Sequence, residues 1–212
     1  MISGLAGALG DNLLAKMLAL DVALSGLGVP YAFGGAIALD YYTEPRATSD
    51  FDVNVFCRED ESGSVLDWLE TIGVEVTEAA RAIAAQDGQV RLGWGAYRVD
   101  LFFSTTALHD AMAGRVRRVP FLDRTIPILA PEHLMACKAV FDRPKEWVDI
   151  AGVRRDVSDL DVDEARHWVA SIAGTAVLSR FDDAMAVAPG SGASSPVGPR
   201  RSGAPPGDAG TR

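Results

Sequence analysis

The stretch that most narrows the choice of fold runs from Val29 to Val55. Val29–Phe33 is a short apolar, β-prone run that leads straight into Gly34-Gly35, and Ala36, Ile37, Ala38 and Leu39 then open a helix. After a loop holding Pro45 and Arg46, Phe51, Val53 and Val55 alternate with Asp50, Asp52 and Asn54. That period of two describes a strand with one buried face and both acids on the other. Strand, glycine turn, helix and acid-bearing strand, close together in one chain, call for a sheet covered by helices.

The rest of the chain extends this pattern. Leu13, Leu14, Met17, Leu18, Val22 and Leu24 recur at helical spacing over about residues 11–27, a start that Asp11 or Asn12 can cap. Ser64–Ile72 reads as a helix and Val74–Val76 as a strand. Val90–Trp94 and Tyr97–Phe103 form a hairpin about Gly95-Ala96, with Arg98, Asp100 and Phe102 on one face. Ile126–Leu129 is one more strand. Pro131 starts a helix to about Asp142, Pro144 interrupts it, and helices dominate to about Met185. From about Ala188 the chain turns to Pro, Gly, Ser and Ala, the composition of a disordered tail. The expected organisation is α+β: a mixed sheet with flanking helices over residues 1–130, a small helical segment over 131–186 that completes the site, and a tail over 187–212.

Composition removes several classes. With 48 % hydrophobic and 23 % charged residues, the 212-residue chain is neither disordered as a whole nor fibrous. The apolar stretches are broken by Lys16, Asp21 and Asp40 before reaching the ~18 residues a membrane span needs. With no basic cluster at the N-terminus and Asp11 early, a cytoplasmic location is expected. Cys57 and Cys137 fit no ligand spacing and are expected to be reduced, buried thiols. His109, His133 and His167 match no metal pattern, and no Gly-x-Ser-x-Gly elbow is present, which removes zinc and serine-hydrolase chemistry. A net charge of −9 disfavours a broad nucleic-acid face but suits metal ions, cationic ligands or a small basic cleft.

The chemistry centres on Asp50-x-Asp52 and on Asp100, which lies in an apolar strand. Two carboxylates two apart on a strand share a face and suit Mg²⁺, a hard ion that prefers oxygen ligands; Asp100 could complete a two-metal site. Gly34-Gly35 at a strand-to-helix turn lets backbone N–H groups approach phosphates. The plainer alternatives are a tight bend at the glycines, a solvated edge for Asp50 and Asp52, and a salt bridge from Asp100 to Arg98 or Arg91.

These residues resemble the polymerase-β-like nucleotidyltransferase superfamily, and within it the AbiEii/MenT-type nucleotidyltransferase toxins. The resemblance is carried by Tyr31–Leu39 with the glycine pair, by Pro45-Arg46-Ala47-Thr48-Ser49-Asp50-Phe51-Asp52-Val53, and by Pro131–Lys138 followed by Arg143, Lys145 and Asp149. It spans about Val29 to Asp149, with a weaker helical echo to Leu178. It implies a polymerase-β-like palm, Asp50 and Asp52 as metal ligands with Asp100 beside them, and Lys138 and Asp149 as essential partners. It further implies Mg²⁺ as cofactor, an NTP as substrate, the 3′ end of tRNA as acceptor and a cognate antitoxin as partner. In that family a hydroxyl at the Thr48 position is open to phosphorylation, and a charge of about −1.5 to −2 there would repel a triphosphate.

Physically, Lys138 offers a compact cation, and Arg46 and Arg143 offer planar forks for phosphate. Lys145 adds a further cation, and Thr48 and Ser49 border the acids on the nucleotide side or act as plain strand-entry hydroxyls. The alternative for Lys138–Asp142 and Lys145–Asp149 is a pair of exposed i,i+4 salt bridges. Arg115, Arg117, Arg118 and Arg124 form the densest basic patch, read either as a solvated hairpin or as an RNA landing site. Two rivals to tRNA modification remain: adenylylation of a cationic antibiotic of the aminoglycoside type, and a partner-binding module whose catalytic residues have decayed.

Overall fold

The computed structural model describes residues 12–186; the expected tail over 187–212 lies outside the described residues. The first helix, α1 (Leu13–Leu27), begins where the Asn12 side chain accepts a hydrogen bond from the Ala15 N–H at 3.0 Å, and it ends at Gly28 with φ 75°. Its residues are buried almost all round, including Lys16 and Asp21. Tyr31 donates to the Asp21 carboxylate at 2.5 Å, and Arg124 reaches the same carboxylate at 3.4 Å, so the helix is tied to the sheet by polar as well as apolar contacts.

Six strands follow: β1 (Tyr31–Phe33), β2 (Asp50–Arg58), β3 (Gln89–Trp94), β4 (Tyr97–Ser104), β5 (Arg117–Phe121) and β6 (Arg124–Ile128). They form one mixed sheet in the order β3-β4-β2-β1-β6-β5. β1 is antiparallel to β2 and parallel to β6, β2 is parallel to β4, and the β3–β4 and β5–β6 hairpins close the two edges. Phe51, Val53 and Val55 are fully buried, as the alternation of β2 demands, and this leaves Asp50, Asp52 and Asn54 on the opposite face. Phe51 packs against Trp94 and Tyr97, and Lys16 of α1 lies 4.1 Å over the Trp94 ring, so α1 covers the apolar face.

The remaining helices are α2 (Gly35–Leu39), α3 (Ser62–Thr71), α4 (Glu78–Asp87), α5 (Ala107–Gly114), α6 (Pro131–Phe141), α7 (Pro144–Asp156), α8 (Val162–Ile172) and α9 (Gly174–Ala186). α2 and α5 pack against β2, and α2 also touches α6. The hydrophobic core runs without a break across position 130, from Phe33, Val53 and Leu101 of the sheet to Met135, Val153, Val169 and Phe181 of the later helices.

The structure differs from the sequence reading at four points. The strand expected over Val74–Val76 is reduced to a single bridge between Glu75 and Gly93. α4 and α5 escaped the pattern because each buries only two residues, Ala80 with Ala84 and Leu108 with Met112. β5 carries Arg117, Arg118 and Pro120, a strand-poor composition that is tolerated because β5 is the edge of the sheet. Cys57 and Cys137 are free and half-buried rather than fully buried, and burial pushes the Cys137 thiol up to about 12.

Candidate active site

The sheet register assembles the acids. In the parallel β2–β4 ladder, Asp50 stands opposite Arg98 and Asp52 opposite Asp100, while β3 places Arg91 opposite Asp100. Arg98 Nε donates to Asp50 Oδ1 at 3.0 Å. Arg91 grips Asp100 with two hydrogen bonds, Nε to Oδ1 and Nη2 to Oδ2, both 2.7 Å. Asp100, expected to complete a three-carboxylate set, therefore has both oxygens engaged and does not line the cavity described below. Among the described residues no group of three or more metal-ligating side chains converges.

Asp52 differs from its neighbours. Burial first, then the charges of Asp100 and Asp50, push its carboxyl up to about 6, against a smaller opposing pull from Lys138. A half-buried carboxylate beside two others is chemically suited to a hard cation, which Asp50 could help to hold. Gly35 explains how the turn comes so close: its φ is +52°, and a Cβ there would collide with the Asp52 carboxylate. Gly34 plays another part. Its N–H donates to the Asp52 carbonyl at 2.8 Å, which locks the turn to β2, and Gly34 itself does not line the cavity. Gly35 and Ala36 do line it, and as the first residues of α2 their N–H groups have no carbonyl one turn back.

A cavity of about 590 Å³ opens between this turn, β2 and helices α5 and α6. Arg46, Thr48, Ser49, Asp50, Asp52, Lys138, Arg143 and Lys145 all border it. Thr48 also accepts from the Asp50 N–H at 3.1 Å, the strand-entry bond expected of it, and Ser49 approaches Asp50 Oδ1 at 3.3 Å.

The cations on the far wall form one network. Lys138, buried on α6, donates to Glu146 Oε2 at 2.9 Å and Asp149 Oδ2 at 2.7 Å. Arg46 reaches Asp149 at 2.9 Å, Arg143 reaches Glu146 at 2.5 Å, and Lys145 lies 3.9 Å from Glu146. Four cations thus face two carboxylates, a local positive surplus in a chain of net charge −9. Asp149 sits behind Lys138 and Arg46 rather than on the cavity wall. Lys138 turns away from its i+4 neighbour Asp142, which pairs instead with Arg180.

Glu146 escaped the sequence reading. It lies in the charged run Arg143-Pro144-Lys145-Glu146, which looks like a solvated helix start, yet it is 2 % exposed and holds Lys138. Its spacing of eight from Lys138 across Pro144 falls outside any single-helix pattern. The basic patch is largely balanced: Arg115 pairs with Glu164, Arg117 with Asp159 at 3.2 Å, and Arg124 with Asp21 at 3.4 Å. An RNA landing site there has little free charge to offer.

No protein-family model matches the chain, and no curated protein sequence matches it. Among solved structures the chain is similar to the antibiotic-resistance factor ANT(2'')-Ia in solution, with 15 % identity over 80 % of this chain and 93 % of that one and a TM-score of 0.54. It is similar too to the crystal structure of ANT(2'')-Ia in complex with adenylyl-2''-tobramycin, with 16 % identity over 79 % of this chain and 98 % of that one and a TM-score of 0.53. These likenesses bear out the expected fold, a polymerase-β-like nucleotidyltransferase sheet with flanking and additional helices.

Proposed function

We propose that this chain transfers an NMP from an NTP to an acceptor hydroxyl, with release of pyrophosphate, and that Mg²⁺ is its cofactor. One observation carries the reading: the half-buried Asp52, with Asp50 beside it, faces a surplus of cations across a single cavity. A metal ion between acids and phosphates, and cations around the remaining phosphate charge, is the arrangement that NTP chemistry requires. When bound, Mg²⁺ supplies charge neutralisation at the α-phosphate. Asp50 and Asp52 would hold it, Gly35 and Ala36 would offer N–H groups to the phosphates, and Arg46, Lys138, Arg143 and Lys145 would balance the pyrophosphate as it leaves.

The acceptor oxygen forms its bond to the α-phosphorus as the bond to the β-phosphate oxygen breaks. The hydroxyl proton passes to solvent, and Asp100, with both oxygens held by Arg91, stands opposite Asp52 as a fixed charge rather than as the base. For the acceptor we propose the 3′ end of a tRNA, in keeping with the sequence resemblance, with an antitoxin as partner and Thr48 as the hydroxyl such a partner would modify. Arg91 and Arg98 already neutralise Asp100 and Asp50, so the sheet face keeps little free negative charge for a polycationic drug. Transfer to an aminoglycoside is the second reading, favoured by the net charge of −9 and by the adenylyl-tobramycin bound to ANT(2'')-Ia.

The test is a transfer assay with Mg²⁺, each of four α-labelled NTPs, and either total tRNA or an aminoglycoside, with Asp50→Asn as control. Label on tRNA that Asp50→Asn abolishes supports the leading reading, and label on the drug replaces it with the second. Full activity in Asp50→Asn and Asp52→Asn would overturn the metal assignment. No label, together with no thermal stabilisation by Mg²⁺ and NTP, would make the chain a binding module.

A further inference from the structure

The cavity has a second half, away from the acids and the cation network. Beyond Asp52 on the same face of β2, two residues and so roughly 6.6 Å along the strand, lies Asn54. Asn54 is only 5 % exposed and borders the cavity, where it brings a side-chain amide to an otherwise largely apolar stretch of wall. Gly34 leaves room for it: a Cβ at that position would lie 3.0 Å from Asn54 Nδ2 and 3.3 Å from Leu129.

Across the sheet at this level run Gln89, Phe102, Asn54 and Ala32 in one row, so an aromatic ring lies between two amides. Leu108 and Met112 of α5 form one wall. Val140 and Phe141 at the end of α6, with Ile172 at the end of α8, form the rim, and the Phe141 ring stands edge-on to Phe102 at 6.5 Å. These three rim residues are 49 %, 47 % and 37 % exposed, so large apolar side chains meet solvent here at the mouth of a cavity. Apolar walls with an amide on the floor suit a flat ring that is apolar on its faces and polar at its edge. A polycationic sugar has no such faces.

We propose that this half of the cavity seats the nucleobase of the donor NTP, with Asn54 hydrogen-bonding the base edge and the Phe102–Phe141 pair forming the apolar wall beside it. Asn54 is then a specificity residue of the site. An amide presents a donor and an acceptor side by side, which pairs with a base edge offering the complement and rejects one that does not, typically by about 1–3 kcal/mol or roughly 5- to 150-fold. The inference rests on the NMP-transfer reading, since it takes the phosphates to lie at Gly35 and the cation network.

The experiment measures thermal stabilisation and affinity of the full chain with Mg²⁺ for the four NTPs and for inorganic tripolyphosphate, which carries no base. The wild type should prefer one NTP by at least about tenfold. Asn54→Leu should reduce that preference to within about threefold and leave tripolyphosphate binding unchanged. Phe141→Ala, an exposed position where folding is not at stake, should weaken every NTP by about tenfold and again spare tripolyphosphate. If NTPs bind and both variants match the wild type, the base seat is wrong while the transfer reading stands. If the variants weaken NTPs and tripolyphosphate alike, the chamber does not read the base and the inference is overturned. If neither NTP nor tripolyphosphate binds the wild type, the transfer reading fails and takes the base seat with it.

Discussion

Asp52 and Asp100 stand directly opposite each other on adjacent parallel strands, and only the second has a guanidinium of its own. Arg91 takes both oxygens of Asp100, so the unsatisfied charge of the pair falls on Asp52. The two carboxylates are therefore inequivalent before any ligand arrives.

A first prediction follows from the raised carboxyl of Asp52. In the folded chain it binds its proton up to about pH 6, above the ordinary value of 3.8, so the folded state holds more protons than the unfolded one between those limits. Stability should then fall as pH rises from about 4 to about 6, and stay reduced above. Asp52→Asn removes the charge at constant shape, and its melting temperature at pH 7.5 without metal should exceed that of the wild type. The gap should close as the pH is lowered to about 4, while stabilisation by Mg²⁺ and NTP is lost. Thermal denaturation across that range, with a gap unchanged at pH 4, would show that Asp52 is not the strained charge.

Removing the guanidinium that holds Asp100 makes the converse prediction. Arg91→Met leaves Asp100 facing Asp52 with no guanidinium between them and solvent, and like charges in one site seek a cation. In metal-free buffer the melting temperature should fall by a few degrees, where about 2–4 °C corresponds to ~1 kcal/mol in a chain of this size. Millimolar Mg²⁺ should restore most of that loss and do little for the wild type without nucleotide. A loss that Mg²⁺ does not restore would mean that Asp100 is out of reach of a metal.

Which parts could be read in advance depended on how each residue announces itself. β2 was legible because Phe51, Val53 and Val55 alternate with polar residues and are in fact fully buried. The Arg91–Asp100 pair was one of the stated alternatives, since a hairpin about Gly95-Ala96 sets them opposite each other. α4 left no trace because its core contribution is two alanines, which carry little hydrophobic signal. Glu146 was hidden because burial, not residue type, makes it important, and burial arises where α6 and α7 meet across Pro144. Asn54 read as one more polar position of a half-exposed strand; only the structure shows that it is buried and borders the cavity.

Lys138 gives a third prediction, about folding more than chemistry. Lys138 is 4 % exposed, and its ammonium neutralises Glu146 and Asp149, which are 2 % and 6 % exposed. Taking one partner from a buried ion group leaves the others uncompensated, typically at about 3–5 kcal/mol. Lys138→Met should therefore lower the free energy of unfolding by that order in urea titrations. Adding Glu146→Gln should recover part of it, because the double variant no longer buries the unpaired Glu146 charge. Strictly additive losses would show that Lys138 and Glu146 do not depend on each other.

The last prediction separates the two glycine requirements at the site. Gly35 sits at φ +52°, where an L side chain costs about 1–2 kcal/mol, and its missing Cβ is also what admits the Asp52 carboxylate. Gly35→Ala should cost more than backbone strain alone and should displace Asp52, so that stability falls by about 2 kcal/mol or more and the thermal shift with Mg²⁺ and NTP disappears. Gly63 in α3 is the matched control: nothing lies within 4 Å of its added Cβ and its φ is ordinary. There alanine should be neutral or stabilising by up to about 1 kcal/mol, because it lowers the entropy lost on forming the helix. If Gly35→Ala keeps the ligand-dependent shift despite a stability loss, the close approach to Asp52 is a matter of folding and the carboxylate reaches its metal without it. If both are lost together, the turn and the acid act as one unit.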